Sequence, residues 1–298
     1  MQRLRKYAAL TGFMLLVIAL AIGSAGCKAQ KVNLPVVLFS DFGSDDYRVS
    51  QLKGIILSHN PEARLIDASH GVPAFDVPTG AFMLYMAAKE FPGNVVFVAV
   101  VDPYTRDNPR YLALKTSNGQ IMVIPDNGLL MYIDAAIGIE SIHSIDNQEI
   151  FDQPIAELSA ERLEGTVGAL ISTGYRLEDL GEAVSDPVKL DIQEAGIESN
   201  QLVGTVIFVD NFGNCVTNID ESYAKDFGLS RGDSIQVELP EALIAAHYGS
   251  IYSDVPEGED IVFVNSNLGV VQLSINMGNY AEKYNLKAGD KIGLVKGE

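Results

Sequence analysis

Three strand-like apolar runs in this chain end in residues able to do chemistry. The run 36–39 leads into Ser40-Asp41-Phe42-Gly43, the run 95–101 into Asp102-Pro103, and the run 121–124 into Pro125-Asp126-Asn127-Gly128. A carboxylate at a strand tip can accept hydrogen bonds from sugar hydroxyls or take a proton from an attacking nucleophile. Turn chemistry alone accounts for one such tip, because Asp and Asn fill turns and caps everywhere; three together favour a polar site. The loop after Asp102 returns through Arg110, so a carboxylate and a guanidinium could flank one water or form a plain loop salt bridge. A fourth stretch, "VDNFGNCVTNID" (209–220), ends a strand in Asp210 and offers the amides of Asn214 and Asn218 around Gly213. Read alone, it is best explained as a hairpin loop.

The elements that must carry these tips alternate. Residues 46–58 have a helical apolar pattern, with Asp45 as the expected N-cap. A strand-like "ARLIDA" and a helix over 77–90 follow. The run 95–101 is apolar throughout, as in a strand covered on both faces. Two strands flank Asn118-Gly119, and a helix near 160–173 ends at Gly174. This order predicts an α/β domain over 35–186 with a mostly parallel sheet. In such sheets ligands bind beyond the carboxyl ends of the strands, where the acids fall. Residues 187–200 are polar and read as a linker. From 201 to 298 short strands and turns predict a smaller β domain, with short helices over 221–227 and 278–284.

Composition narrows the function. The 298 residues include 21 basic and 39 acidic ones, a formal charge of −18. Nucleic acid is excluded as a partner, since phosphate contact needs clustered Lys and Arg. The four histidines are scattered and no CxxC or HExxH pattern occurs, so no metal site is expected. The first residues are basic, then apolar, then small, in the order of a secretory signal. The stretch resembles a bacterial lipoprotein signal over 1–26. Cys27 would then be the lipidated residue, 27–34 a tether, and the body exported and held on a membrane. An uncleaved membrane anchor is the alternative. If Cys27 carries lipid, only Cys215 remains and no internal disulfide can form.

Six segments in order resemble one family: "SDFGSDDYRVSQLKG" (40–54), "IDASHGVPAFDV" (66–77), "FPGNVVFVAVVDP" (91–103), "PDNGLL" (125–130), "DNFGNCVTNI" (210–219) and "NSNLGVVQLSINMGN" (265–279). They are similar to the S-adenosylmethionine hydrolases, or hydroxide adenosyltransferases, relatives of the fluorinases and chlorinases. The resemblance implies a Rossmann-like N-terminal α/β domain with a mostly parallel sheet and a smaller C-terminal β-barrel-like domain. It implies a homotrimer with a nucleoside site between subunits, and S-adenosylmethionine as substrate without a separate cofactor. By this resemblance Asp41 would hold the ribose diol and Phe75 would wall the site. Asp126 and Asn127 belong to the substrate-binding set. Asp210 would meet the methionine ammonium, Phe212 and Asn214 the adenine, and Ser266 the amino-acid end. Asp102, Arg110 and a third residue would position the attacking water.

The third residue departs from the pattern. Hydrolases carry "FHGRD" and halogenases a "FYSRE"-like segment, and the matching stretch here is "ELSAERLEG" (157–165), with Ser159 on the histidine or, with a one-residue gap, on the halogenase serine. Thr105 falls where halogenases carry a threonine, whereas Asp102 is hydrolase-like. Three functions therefore compete: hydrolysis of S-adenosylmethionine, non-catalytic capture of a nucleoside by a lipoprotein, and halogenation. The last is disfavoured by the negative charge of Asp102 beside a halide.

Overall fold

The computed structural model describes residues 32–104 and 109–297; the leader with Cys27, and Thr105, lie outside the described residues. β1 (Val36–Ser40) pairs in parallel with β2 (Leu65–Ser69) on one side and β3 (Val96–Val100) on the other. β5 (Ile121–Pro125) adds in parallel to β3, and β4 (Tyr111–Thr116) and β6 (Ile139–Ser144) complete the sheet antiparallel. The order is β2-β1-β3-β5-β4-β6, a mostly parallel α/β sheet.

Both faces of the central strands are apolar because both are covered. Val96, Val98 and Val100 pack into one core with α1 (Tyr47–His59) and α4 (Ala160–Ser172). Phe97, Ala99 and Val101 pack into the other, with α2 (Val77–Ala88) and α3 (Met131–Ala136). The N-cap of α1 is Asp46, not the expected Asp45: its carboxylate accepts the Arg48 N–H at 2.8 Å. The guanidinium of Arg48 returns to the same carboxylate, which a cap one residue earlier would forgo.

The second sheet is built from β7 (Gly196–Glu198), β8 (Gln201–Val209), β9 (Cys215–Asp220), β10 (Ser234–Leu239), β11 (Ala242–Tyr248), β12 (Asp260–Asn265), β13 (Val270–Ile275) and β14 (Lys291–Lys296). Its order is β14-β10-β11-β12-β13-β9-β8-β7, and β14 also pairs with β8. Seven strands thereby close into a barrel and β7 lies outside the ring. The stretch expected as a plain linker thus contributes a strand, β7. Two short helices, α5 (Glu221–Asp226) and α6 (Tyr280–Tyr284), sit near their expected positions. Closure removes free sheet edges, and alternate residues such as Ile235, Val237 and Leu239 fill the interior.

The barrel packs on α2. Phe82 joins Ile207 and Val216 in one buried cluster, with the Phe82 and Phe208 rings 5.5 Å apart. Lys89 Nζ donates to the Asn267 carbonyl at 3.1 Å. Among the described residues no helix is long and apolar enough to cross a membrane.

Candidate active site

In the first sheet β2 lies to one side of β1 and β3 to the other, so the chain changes direction between β1 and β3. A crevice forms outside the carboxyl ends of strands at such a switch point. Asp41 follows β1 and Asp102 follows β3, which puts two carboxylates at its mouth.

Asp41 organises this place. Its backbone N–H donates to the Val100 carbonyl at 3.3 Å. Its Oδ2 accepts the N–H groups of Phe75 at 3.3 Å and of Asp102 at 3.2 Å. Both donors belong to residues with left-handed backbone, φ +66° for Phe75 and +37° for Asp102. Such conformations are costly for residues with a Cβ and persist where the surroundings enforce them. Here one carboxylate oxygen gathers both. Burial, and then the charge of Asp41, raises the Asp102 carboxyl above the ordinary aspartate range. The Phe75 ring is 78% exposed.

Asp126 and Asn127 turn inward. Asp126 is buried, accepts Arg110 Nε at 2.6 Å through Oδ2 and the Val188 N–H at 2.8 Å through Oδ1. Asn127 Nδ2 donates to the carbonyls of Val101 and Asp102, tying the β5 tip to the β3 tip. The Arg110 guanidinium also bonds Asp186, at 3.2 Å to Oδ1 and 2.9 Å to its carbonyl. Arg110 is thus held by Asp126 and Asp186, where the sequence suggested a partnership with Asp102. A cleft of ≈650 Å³ opens beside it, lined by Tyr104, Arg110, Tyr111, Asp146 and Leu158. Ser159 is the N-cap residue of α4 but makes no side-chain cap bond. The Tyr104 hydroxyl accepts the N–H of Ala160 at 3.0 Å instead.

The barrel residues form a second group. Asp210 Oδ1 accepts the N–H groups of Phe212 at 2.8 Å and Asn214 at 2.9 Å, and Oδ2 accepts Asn214 Nδ2 at 2.7 Å. Gly213 is required in this loop: its φ is +82°, and a Cβ there would run into the Asn279 side chain that caps α6. The Phe212 ring is 78% exposed. Ser266 is exposed in the turn between β12 and β13. Asp210 and Asn265 line a ≈430 Å³ crevice against Phe82 and Met86 of α2. Among the described residues no hydrogen bond or ion pair joins the Asp210 group to the Asp41 group within one chain.

Three features went unnoticed in the sequence. Ser40 Oγ lies 2.8 Å from His70 Nδ1, and His70 Nε2 lies 3.2 Å from Asp67 Oδ1, which ties the β1 and β2 tips together. The sequence signal was "SD" and "ASHG" standing at consecutive strand tips. Tyr104 reaches from the loop to α4, and no local pattern announces that. Glu164 is completely buried on α4; its signal was an acid on the apolar stripe that carries Ala160, Val167 and Ile171. Among the described residues no cluster of His, Cys, Asp or Glu could hold a metal ion.

Comparison with known proteins agrees with this geometry. The profile of the SAM hydroxide adenosyltransferase N-terminal domain matches residues 36–181, and that of the C-terminal domain residues 204–293. An (R)-S-adenosyl-L-methionine hydrolase of Methanocaldococcus jannaschii is 30% identical, over 87% of this chain and 95% of the relative. One from Salinispora tropica is 31% identical, over 87% and 96%. A fluorinase of Nocardia brasiliensis is 26% identical, over 88% and 97%. The crystal structure of an uncharacterized conserved protein from Thermotoga maritima superposes with a TM-score of 0.79 at 28% identity, covering 87% of this chain and 99% of that one. With both domain profiles matched in order across the two sheets described above, the chain belongs to the SAM hydroxide adenosyltransferase family.

Proposed function

We propose that this protein hydrolyses S-adenosylmethionine to adenosine and methionine, at a site built on Asp41 and Asp102. The observation that carries this reading is the pair of carboxylates at the β1/β3 switch point, in a chain 30% identical to named hydrolases. Water attacks C5′ of the ribose, the C5′–S bond breaks, and its electron pair stays on sulfur. Methionine leaves neutral, so the leaving group needs no acid. The proton of the water needs a base. The raised carboxyl of Asp102 suits that task better than an ordinary aspartate. Holding the water in line contributes as much as its basicity, and no further cofactor is needed.

The site is completed by a neighbouring subunit in a homotrimer. Two largely exposed aromatic residues, Phe75 beside Asp41 and Phe212 beside Asp210, support this, since a partner chain would cover both. The protein is exported and held by lipid on Cys27, as the leader suggests; mass spectrometry of membrane-extracted protein finding an intact Met1 would reject lipidation at Cys27.

A second reading keeps binding and drops catalysis. Ser159 in place of the histidine and the engagement of Arg110 by Asp126 and Asp186 favour it. One experiment separates the two. The soluble body is incubated with S-adenosylmethionine and the mixture chromatographed. Adenosine and methionine should form in equal amounts, and Asp102→Asn should slow their release on the order of 10²–10⁴-fold, the usual contribution of a positioned base. Absence of both products from the parent would end the hydrolase reading. Calorimetric binding of adenosine would then leave the capture protein standing.

A further inference from the structure

Helix α4 climbs along β3 toward the site. Near its lower end Gly168 touches the strand: a Cβ there would overlap Val98 Cγ2. At its upper end the Ala160 N–H donates to Tyr104 Oη in the loop beyond β3. Glu164 stands four residues from each. The 3.6-residue repeat therefore puts it on the same face, ~6 Å above Gly168 and so level with the upper end of β3. It is 0% exposed. Neither carboxyl oxygen has a hydrogen-bond partner among the described residues. Ionisable groups face it from three elements: Glu161 on its own helix, Asp41 at the β1 tip and Tyr111 at the start of β4. The same helix meets α1 through Leu52 and Ile55 and β3 through Val98.

An ionised carboxylate without partners is costly in such a place while the tips above it carry only negative charge, so in the free protein the group rests as a neutral acid. Burial pushes its carboxyl well above the usual glutamate range, and the charges of Glu161 and Asp41 push the same way. Packing gives no reason for an acid here, since an apolar side chain of similar volume would fill the space at lower cost. What an acid adds is sensitivity to the charge above it. We propose that Glu164 is a proton-linked charge regulator of the strand-tip site, neutral while the tips carry only their own carboxylates, and deprotonated when a cationic ligand settles over Asp41 and Asp102.

The cation opposes the field that holds the proton on Glu164, and by linkage the ionised Glu164 holds the cation more tightly. This builds on the hydrolase reading. In that reaction water supplies the new O–C5′ bond, the C5′–S bond breaks with its pair on sulfur, and one proton is released. The positive charge over the site vanishes in the same step, so Glu164 regains a proton as neutral adenosine forms. The added negative charge is then gone when product must leave.

Calorimetry in buffers of different ionisation enthalpy counts the protons exchanged on binding. Titrated into protein carrying Asp102→Asn, where turnover is too slow to add its own proton, S-adenosylmethionine should release a fraction of a proton at neutral pH and adenosine none. Glu164→Gln, which mimics the neutral acid and so should fold, should abolish that release. Any protons exchanged by the ligand's own amine remain in the variant, so the difference between parent and variant is the readout. Equal proton release by both proteins overturns the proposal. If S-adenosylmethionine does not bind, the hydrolase reading fails, and a second measurement decides this one without ligand. The Glu164 carboxyl is followed by ¹³C NMR across pH in the parent and in Asp41→Asn. Removing a negative charge at the tip is equivalent to adding a positive one, so the midpoint should move down. An unmoved midpoint overturns the proposal.

Discussion

Asp41 has two duties that can be separated. Its Oδ2 holds the N–H groups of Phe75 and Asp102, while its charge and remaining lone pairs face the crevice. Asp41→Ala should weaken nucleoside binding by roughly 1–3 kcal/mol and also lower the melting temperature, because two backbone donors lose their acceptor. Asp41→Asn keeps an acceptor oxygen, so it should restore most of the melting temperature and little of the affinity. Calorimetry and thermal unfolding of both variants check this; equal affinity in all three proteins would remove Asp41 from the site. Glu164 gives the second prediction at this scale. Its folded carboxyl titrates above its unfolded one, so its share of stability is complete below the unfolded value and is lost as pH rises toward the folded one. Glu164→Gln should therefore gain on the parent in denaturant titrations as pH rises from 5 to 8; parallel curves would contradict it. The tip acids were legible because an apolar run that ends in Asp is a local signal. The fate of Arg110 was not, because Asp126 and Asp186 lie 16 and 76 residues away.

Among the elements, α4 is the one that sets the site's floor. Gly168 lets it approach β3 closely, and Gly165 lets it approach Leu52 and Ile55 of α1. Gly168→Ala should cost about 1–3 kcal/mol, the usual penalty of overpacking, since the new methyl meets Val98. Val98→Ala in the same chain should recover part of that loss, and denaturant titration of the double variant measures the coupling. The strands with dense β-branched residues, such as β1, β3 and β8, could be read directly. β11, "ALIAAHY", could not: its alanines favour helix in isolation, and pairing along β10 and β12 makes it a strand. β7 escaped because three residues carry no period, and pairing with β8 defines it.

At the scale of the molecule, no hydrogen bond or ion pair among the described residues joins the Asp41 and Asp210 groups within one chain, and a site shared between subunits predicts complementation. Asp41→Ala and Asp210→Ala proteins should each turn over S-adenosylmethionine far more slowly than the parent at limiting substrate. Co-assembled, they should regain turnover at roughly a quarter of sites, where random assortment pairs two intact halves; a mixture as slow as its components would place the whole site in one chain. The two-domain order was legible from the change of texture after residue 186, but barrel closure was not, because it depends on β14 meeting β8 across the chain. That closure has a consequence for biosynthesis. All strands of the first sheet have been made by Ser144 and its last covering helix by Ser172. The ring cannot shut until β14 (Lys291–Lys296) has been made. At ~5–20 residues per second, the α/β layer is ready several seconds before its companion. From the moment each is made until β14 arrives, β8 and β10 wait with one side unpaired, and this is when a nascent chain of this protein would be most apt to pair with a neighbour instead of with itself.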